Sequence, residues 1–139
     1  MRLIGLVLAG LVAVSACGGV PEVHSIVIPG QGRAQPLPVE IDDQAGIVSS
    51  IELNGADRPP LEPVVALAGD PAAIAVTWTG GLCDTATRLT ITSEPPGIRI
   101  TETTTVRPGG CRLVGIYRTL LFRLAEPIPV EAIALVRQP

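Results

Sequence analysis

The sequence contains no lysine and a single histidine, His24, and these absences exclude several kinds of active site. A Ser–Lys dyad, a Schiff base and a phosphate-binding loop all require a lysine that this chain does not have. A Ser–His or Cys–His pair would have to use His24, which lies in a segment rich in glycine and proline, and a cupredoxin-type copper site needs two histidines. We therefore predict a protein that is not an enzyme and binds neither a metal nor a cofactor, and in which His24 is a solvated residue.

Aromatic residues are equally scarce, because Trp78, Tyr117 and Phe122 are the only three. The hydrophobic core must therefore consist of Val, Ile, Leu and Ala, and we expect Trp78 to pack in it rather than to form a ligand platform. Ten arginines face thirteen carboxylates, which gives a net charge of −3. An acidic surface with few stacking rings is unsuited to nucleic acid, so no nucleic-acid partner is predicted.

Long helical segments are missing as well, since 15 glycines and 14 prolines interrupt the chain. Between these breakers lie short runs in which apolar and polar residues alternate, the pattern of strands with one buried face. The inward-facing positions are predicted to include Ile74, Val76, Trp78, Leu89, Ile91, Ile98, Ile100, Leu120, Phe122 and Leu124. Besides the alternating segments around Val76 and Thr90, the predicted strands are 23–28, 39–41, 47–53, 98–106, 113–124 and 130–136, with 64–68 as a further candidate. Gly115 is the candidate bulge in the strand 113–124.

Strands of this length and spacing predict an all-β domain, either a small antiparallel β-sandwich or a barrel. The layout is loosely similar to the immunoglobulin-like sandwiches of exported proteins, a likeness of pattern that implies no function. We expect this domain to span residues 39–139. Residues 17–38 are predicted to form a flexible tether rich in Gly, Pro and Gln, within which 23–28 could pair as an edge strand.

The N-terminus carries the strongest functional signal of the sequence. Arg2 is followed by the apolar stretch from Leu3 to Val14, which is too short to span a bilayer and is typical of a secretory signal peptide. The next residues, Ser15-Ala16-Cys17, resemble the lipobox of bacterial lipoproteins. The resemblance implies that residues 1–16 are removed and that Cys17 receives a diacylglyceryl group; the alternative is an ordinary signal peptide with an incidental cysteine.

This resemblance also implies an address outside the cytoplasm, with the membrane bound through the lipid on Cys17. Several acyl chains anchor a protein stably, whereas a single chain holds it only marginally. In a host with one membrane the protein would lie on its outer face. In a host with two, Gly18 lacks the acidic residue associated with retention at the inner membrane, which favours the outer one.

The cysteine count agrees with an oxidising compartment. Lipidation of Cys17 leaves Cys83 and Cys111 as an even pair, each close to two consecutive glycines where the backbone can turn tightly. A redox or metal-binding thiol pair is the less favoured alternative, since neither cysteine belongs to a CxxC motif and no histidine is near. We predict a structural disulfide between them.

The carboxylates are the remaining side chains that could bind a metal ion or catalyse a reaction. Asp42-Asp43 could contribute to a Ca²⁺ site, although an ordinary polar turn is favoured because no calcium-binding spacing is present. Asp84 is expected to cap a turn or to pair with an arginine. Because carboxylates can act as general acids and bases, the alternative function is an accessory subunit or a carboxylate-based hydrolase acting at the cell envelope.

One basic surface is predicted from the strand pattern. Arg88 and Arg99 should project from the polar face of neighbouring strands, and Arg118 or Arg123 could join them. Such a patch could bind an acidic protein surface or an anionic polymer, whereas the simpler interpretation is a solvated sheet face that resists edge aggregation. The leading hypothesis is a membrane-anchored, non-enzymatic binding or envelope-associated module.

Overall fold

Nine strands and one short 3₁₀ turn make up the part of the chain that the computed structural model describes, residues 19–54, 60, 62–111 and 114–139. The predicted signal peptide and the lipid-acceptor Cys17 lie outside these residues. The strands are β1 (Glu22–Ile28), β2 (Leu37–Asp43), β3 (Val48–Leu53), β4 (Val64–Leu67), β5 (Asp70–Gly80), β6 (Asp84–Glu94), β7 (Gly97–Val106), β8 (Ile116–Leu124) and β9 (Ile133–Arg137), and the 3₁₀ turn spans Val130–Ala132.

The strands form two sheets that pack face to face, which confirms the predicted β-sandwich. The five-stranded sheet has the order β1-β2-β6-β7-β9, and the four-stranded sheet has the order β3-β8-β5-β4. Most neighbours are antiparallel, but β2 pairs with β6 and β7 pairs with β9 in parallel. The parallel pairs arise because the chain leaves one sheet, adds strands to the other and then returns.

The alternating pattern of the sequence determines which side chains fill the space between the sheets. The inward positions predicted on β5, β6, β7 and β8 are all buried, and Trp78 is a member of the same core cluster. Aliphatic residues from both sheets complete this core, among them Leu37, Val39, Ile41, Ile74, Leu89, Ile91, Ile100 and Leu120. As the composition predicts, Phe122 and Trp78 are the only aromatic residues in it.

The segment expected to be a tether contributes a strand to the sandwich. β1 pairs with β2 along its whole length, from Glu22 opposite Asp43 to Ile28 opposite Leu37, and it is the edge strand that the pattern at 23–28 suggested. The folded domain therefore begins before Val39. His24 lies on the inward side of β1 with its side chain 18% exposed, so it is not the solvated residue expected from its sequence context.

β8 is shorter than predicted. It begins at Ile116, so Gly115 precedes the strand and is not a bulge within it. Register shifts occur instead in the pairs β3–β8, β4–β5 and β6–β7. A glycine next to a run of apolar residues marks a break in the strand, but the sequence does not say whether the strand bends there or ends.

The strand register defines two ends of the sandwich. At the proximal end, β1 begins and β2 ends, and the β2–β3 turn (44–47) lies near the β6–β7 turn (95–96). At the distal end, Asp84 at the start of β6 pairs with Val106 at the end of β7. β6 runs from one end to the other, and its eleven residues span about 33 Å at about 3.3 Å per residue.

Candidate cleft at the distal end of the sandwich

A cleft of about 500 Å³ opens between the two sheets at the distal end. Its walls come from the β5–β6 turn, the end of β7, the loop that leads to β8, and the end of β9. The apolar part of its lining includes Leu82, Val106, Val114 and both half-cystines, and the polar part includes Asp84, Glu102, Thr104 and Arg137. The cleft therefore combines an apolar rim with buried charges.

The disulfide predicted from the sequence closes one side of this cleft. Cys83 and Cys111 are bonded, their Cα atoms are 6.0 Å apart, and 28 positions separate them in sequence. Arg107 supports the bridge twice, because its backbone N–H donates to the carbonyl of Cys83 at 2.8 Å and its guanidinium lies 3.8 Å from Cys83 Sγ. The bridge thus fixes the loop after β7 to the turn before β6.

Asp84 and Arg118 form a buried ion pair at the base of the β5–β6 turn. Arg118 Nη1 lies 2.7 Å from Asp84 Oδ2, and both side chains are less than a tenth exposed. The same carboxylate oxygen accepts the backbone N–H of Gly81 at 2.8 Å, while Arg118 donates to the carbonyl of Gly81 at 3.4 Å. The pair therefore joins β6 of one sheet to β8 of the other and also holds the turn between β5 and β6.

Glu102 and Arg137 form the second charged pair of the cleft. Glu102 is almost fully buried on β7, and its Oε2 accepts a hydrogen bond from Arg137 Nε at 2.7 Å. Arg137 also donates to the carbonyl of Thr79 on β5, and Thr104 donates to the other oxygen of Glu102. The hydrogen bond to Glu102 raises the pKa of Arg137.

These contacts limit what the two cleft carboxylates can do chemically. A general acid or base must exchange its proton with a substrate, whereas Asp84 and Glu102 are each occupied by a guanidinium and by a further donor. Each pair is neutral as a whole. Asp84 and Arg118 connect strands of opposite sheets, whereas Glu102 and Arg137 lie on neighbouring strands of the five-stranded sheet, from which Arg137 also reaches the carbonyl of Thr79 on β5. Neither carboxylate could exchange a proton with a substrate without first breaking its ion pair.

The four arginines proposed as a basic patch are not brought together. Arg88 and Arg99 do lie on the outer face of the five-stranded sheet, but Arg123 and Arg118 belong to β8 in the other sheet. Arg123 points outward there, and Arg118 points into the core. The sandwich therefore separates Arg118 and Arg123 from the face on which they were expected.

Each outward-facing arginine of this set is neutralised by a neighbouring carboxylate. Arg88 Nη2 lies 2.6 Å from Glu40, Arg99 Nε lies 2.5 Å from Glu94, and Arg123 Nη1 lies 2.7 Å from Asp70. An anionic polymer would have to compete with carboxylates that are already in place. This arrangement favours the simpler interpretation of a solvated sheet face.

Asp42 and Asp43 stabilise the turn that follows β2. Asp43 is fully buried, and its Oδ2 accepts the backbone N–H of Val48 at 2.7 Å. Asp42 accepts a hydrogen bond from the side chain of Gln44 at 3.1 Å. Within the described part of the chain, no three His, Cys, Asp or Glu side chains are placed to hold a metal ion together.

Sequence reasoning missed Glu102 and Arg118 as inward-facing charges, although their positions carry a signal. Glu102 is an even number of residues from Ile98 and Ile100, so it shares their inward face of β7. Arg118 shares the inward face of β8 with Leu120 and Phe122 in the same way. A charged residue in phase with the buried face of a strand indicates a buried ion pair. Asp84 was expected to pair with an arginine, and its partner is Arg118.

Within the described ranges, no helix is both long and apolar enough to cross a bilayer. Comparisons of the chain with protein-family models, curated proteins and solved structures give no match.

Proposed function

We propose that this protein is an extracytoplasmic bacterial lipoprotein, anchored through a lipid on Cys17, whose β-sandwich is a non-enzymatic binding module of the cell envelope. The anchor rests on Arg2, the apolar stretch 3–14 and the Ser-Ala-Cys motif. The bonded Cys83–Cys111 pair is consistent with this address, because disulfides persist in oxidising compartments.

The observation that supports a binding role best is the position of the cleft relative to the N-terminus. β1 begins at the proximal end of the sandwich, and the cleft lies at the distal end. A lipid on Cys17 would therefore leave the cleft on the side of the domain that points away from the bilayer. A preformed cleft facing outward is suited to capturing a partner near the membrane.

The lining of the cleft favours a protein partner over a charged polymer. Val106 and Val114 are 55% and 45% exposed at its rim, and such exposed apolar side chains gain free energy when a partner covers them. The charges deeper in the cleft are already paired, so they offer directional hydrogen bonds rather than net charge. We propose that an extended or looped protein segment with apolar side chains enters the cleft.

Two measurements test this function. Intact-mass analysis of the protein isolated from its native membranes should show an N-terminal, lipid-modified Cys17; an unprocessed start or a bare thiol would refute the anchor. A photocrosslinking amino acid at Val106 or Val114 in the native envelope should give a discrete adduct with one protein.

The matched control for the crosslinking experiment is the same amino acid at Val27, which is 55% exposed on the outer face of β1. The adduct should be absent there, and it should also disappear when Val106→Asp is combined with the crosslinker at Val114. Equal adducts at all three positions, or none at the rim, would refute the cleft as the binding site.

A further inference from the structure

A contact between two glycines fixes the N-terminal segment to the proximal end of the sandwich. Gly19 lies directly against Gly46 of the β2–β3 turn, so closely that a Cβ on either residue would overlap the backbone of the other. Gly46 also has a φ of +64°, a conformation that favours glycine. The chain is therefore already held by the fold at residue 19, three residues before β1 begins.

This contact sets how far the domain can move from a lipid on Cys17. Two residues reach at most about 7 Å. The composition of residues 17–38 predicts a long flexible tether, but the chain is already in contact with the sandwich at Gly19. From the lipobox motif and this contact we infer that the proximal end of the sandwich rests on the bilayer surface, with the strands upright; the inference rests on the proposed lipidation of Cys17.

Exposed apolar side chains lie at the proximal end of the sandwich, the end that contacts the bilayer in this orientation. Val20 is 86% exposed and Val23 is 59% exposed, and both follow directly after the segment that leads to the anchor. Apolar side chains next to an acyl anchor enter the boundary between headgroups and acyl chains, which adds to the affinity of the anchor. Val27, on the same face of β1, is about 13 Å farther from the proximal end than Val23.

The outer face of the five-stranded sheet argues against a domain that lies flat on the membrane. This face carries the Arg88–Glu40 and Arg99–Glu94 ion pairs and the threonines of β6 and β7. Pressing it onto the bilayer would desolvate those charges without providing new partners. An upright sandwich keeps the Arg88–Glu40 pair and most of this face in water. It brings only the proximal end close to the headgroups, which among the described residues includes the turns at 44–47, 68–69 and 95–96 and the segment 125–132.

Depth-dependent quenching of tryptophan fluorescence tests the orientation. The full lipoprotein is reconstituted into phosphatidylcholine vesicles with brominated acyl chains, as the variants Val20→Trp, Val23→Trp and Val27→Trp. Val106→Trp and Val114→Trp are the matched controls, since both replace exposed valines at the distal end. Trp78 is buried and contributes the same background to every variant, which the unsubstituted protein measures.

We expect the added emission at positions 20 and 23 to fall by about half or more and to shift to the blue, as for side chains about 5–10 Å deep in the interface. Emission at 27, 106 and 114 should stay close to its value in vesicles without bromine. Quenching at 27 equal to that at 20 would overturn the upright orientation, and so would quenching at 106 or 114.

For each variant, intact-mass analysis shows whether Cys17 carries the lipid, and circular dichroism shows whether the domain is folded. An absence of quenching at 20 and 23 in a protein that is folded and carries the lipid would refute the proximal contact and leave the proposed function intact. A protein with an unmodified Cys17 would refute both.

Discussion

At the scale of single residues, the Asp84–Arg118 pair places two opposite charges inside the sandwich. Both charges lose their hydration on folding, and their mutual attraction together with the hydrogen bonds to Gly81 offsets that loss. Removing one partner leaves the other charge buried and unpaired. We expect Arg118→Met to lower the free energy of unfolding by about 3–5 kcal/mol, measured by urea denaturation.

The exposed Arg88–Glu40 pair provides the control for this substitution. Both side chains are about half exposed, so water screens their attraction, and Arg88→Gln should change the free energy of unfolding by less than about 1 kcal/mol. Equal losses for Arg118→Met and Arg88→Gln would contradict the role assigned to the buried pair.

Gly80 shows how the same pair constrains the sequence around it. A Cβ at this position would collide with Arg118 Nη1 and Asp84 Oδ2, which are held in place by their bond to each other. Gly80→Ala is expected to cost about 1–3 kcal/mol of stability, as an overpacked core position does. Gly110→Ala is the control, since a Cβ there meets nothing within 4 Å.

A double variant separates the collision from a general backbone effect of the alanine. If Gly80→Ala acts by disturbing the ion pair, its cost should be smaller when Arg118→Met is already present, because only the contact with Asp84 then remains. Additive costs in the double variant would show that the ion pair is not what the alanine disturbs.

The exposed Glu94–Arg99 pair makes a prediction about pH. The hydrogen bond from Arg99 lowers the pKa of Glu94 in the folded protein. A carboxyl whose pKa is lowered by folding contributes stability above its unfolded pKa and loses that contribution as the pH falls through its folded pKa. NMR titration should therefore place the midpoint of Glu94 below 4.5, the ordinary value for this group, and Arg99→Gln should move it back up.

At the scale of elements, the disulfide joins the β5–β6 turn to the loop between β7 and β8. Cross-linking residues 28 positions apart removes freedom from the unfolded chain, worth about 3–4 kcal/mol in the loop-entropy model. The double variant Cys83→Ser with Cys111→Ser should lose that much stability in urea denaturation. Addition of a thiol reductant should produce the same loss in the parent protein and no further loss in the variant.

The strands whose side chains alternate could be predicted from sequence because each needs only local information. Ile98 and Ile100 alternate with Arg99 and Thr101, and this period of two determines both the strand and its buried face. The residues of β1 have a strand pattern, but Gly, Pro and Gln surround them, so the sequence predicts at most an edge strand within a flexible tether. Its position in the sheet depends on its pairing with β2, which cannot be predicted from the local sequence pattern.

The candidate site was less predictable than the fold for the same reason. The Cys83–Cys111 bond follows from cysteine arithmetic. The contact of Arg137 with Glu102 depends instead on the parallel register of β7 and β9, in which Glu102 lies opposite Arg137 itself. These residues, 35 positions apart, meet because the chain passes through β8 of the other sheet before it returns as β9. The alternation of side chains within a strand does not predict which strands become neighbours.

At the scale of the whole molecule, the buried core cluster of the described residues extends from Ile28 to Ile133, with Ile26 and Leu135 packed against it. A secreted variant that begins at Gly19 should therefore fold alone and unfold in one cooperative step, as small single domains do. Trp78 is the only tryptophan and lies in the core, so its emission reports the packing between the sheets, while far-UV circular dichroism reports the strands. The two urea transitions are expected to coincide. A tryptophan transition that precedes the loss of strands would show that the domain needs residues before Gly19 to hold the two sheets together.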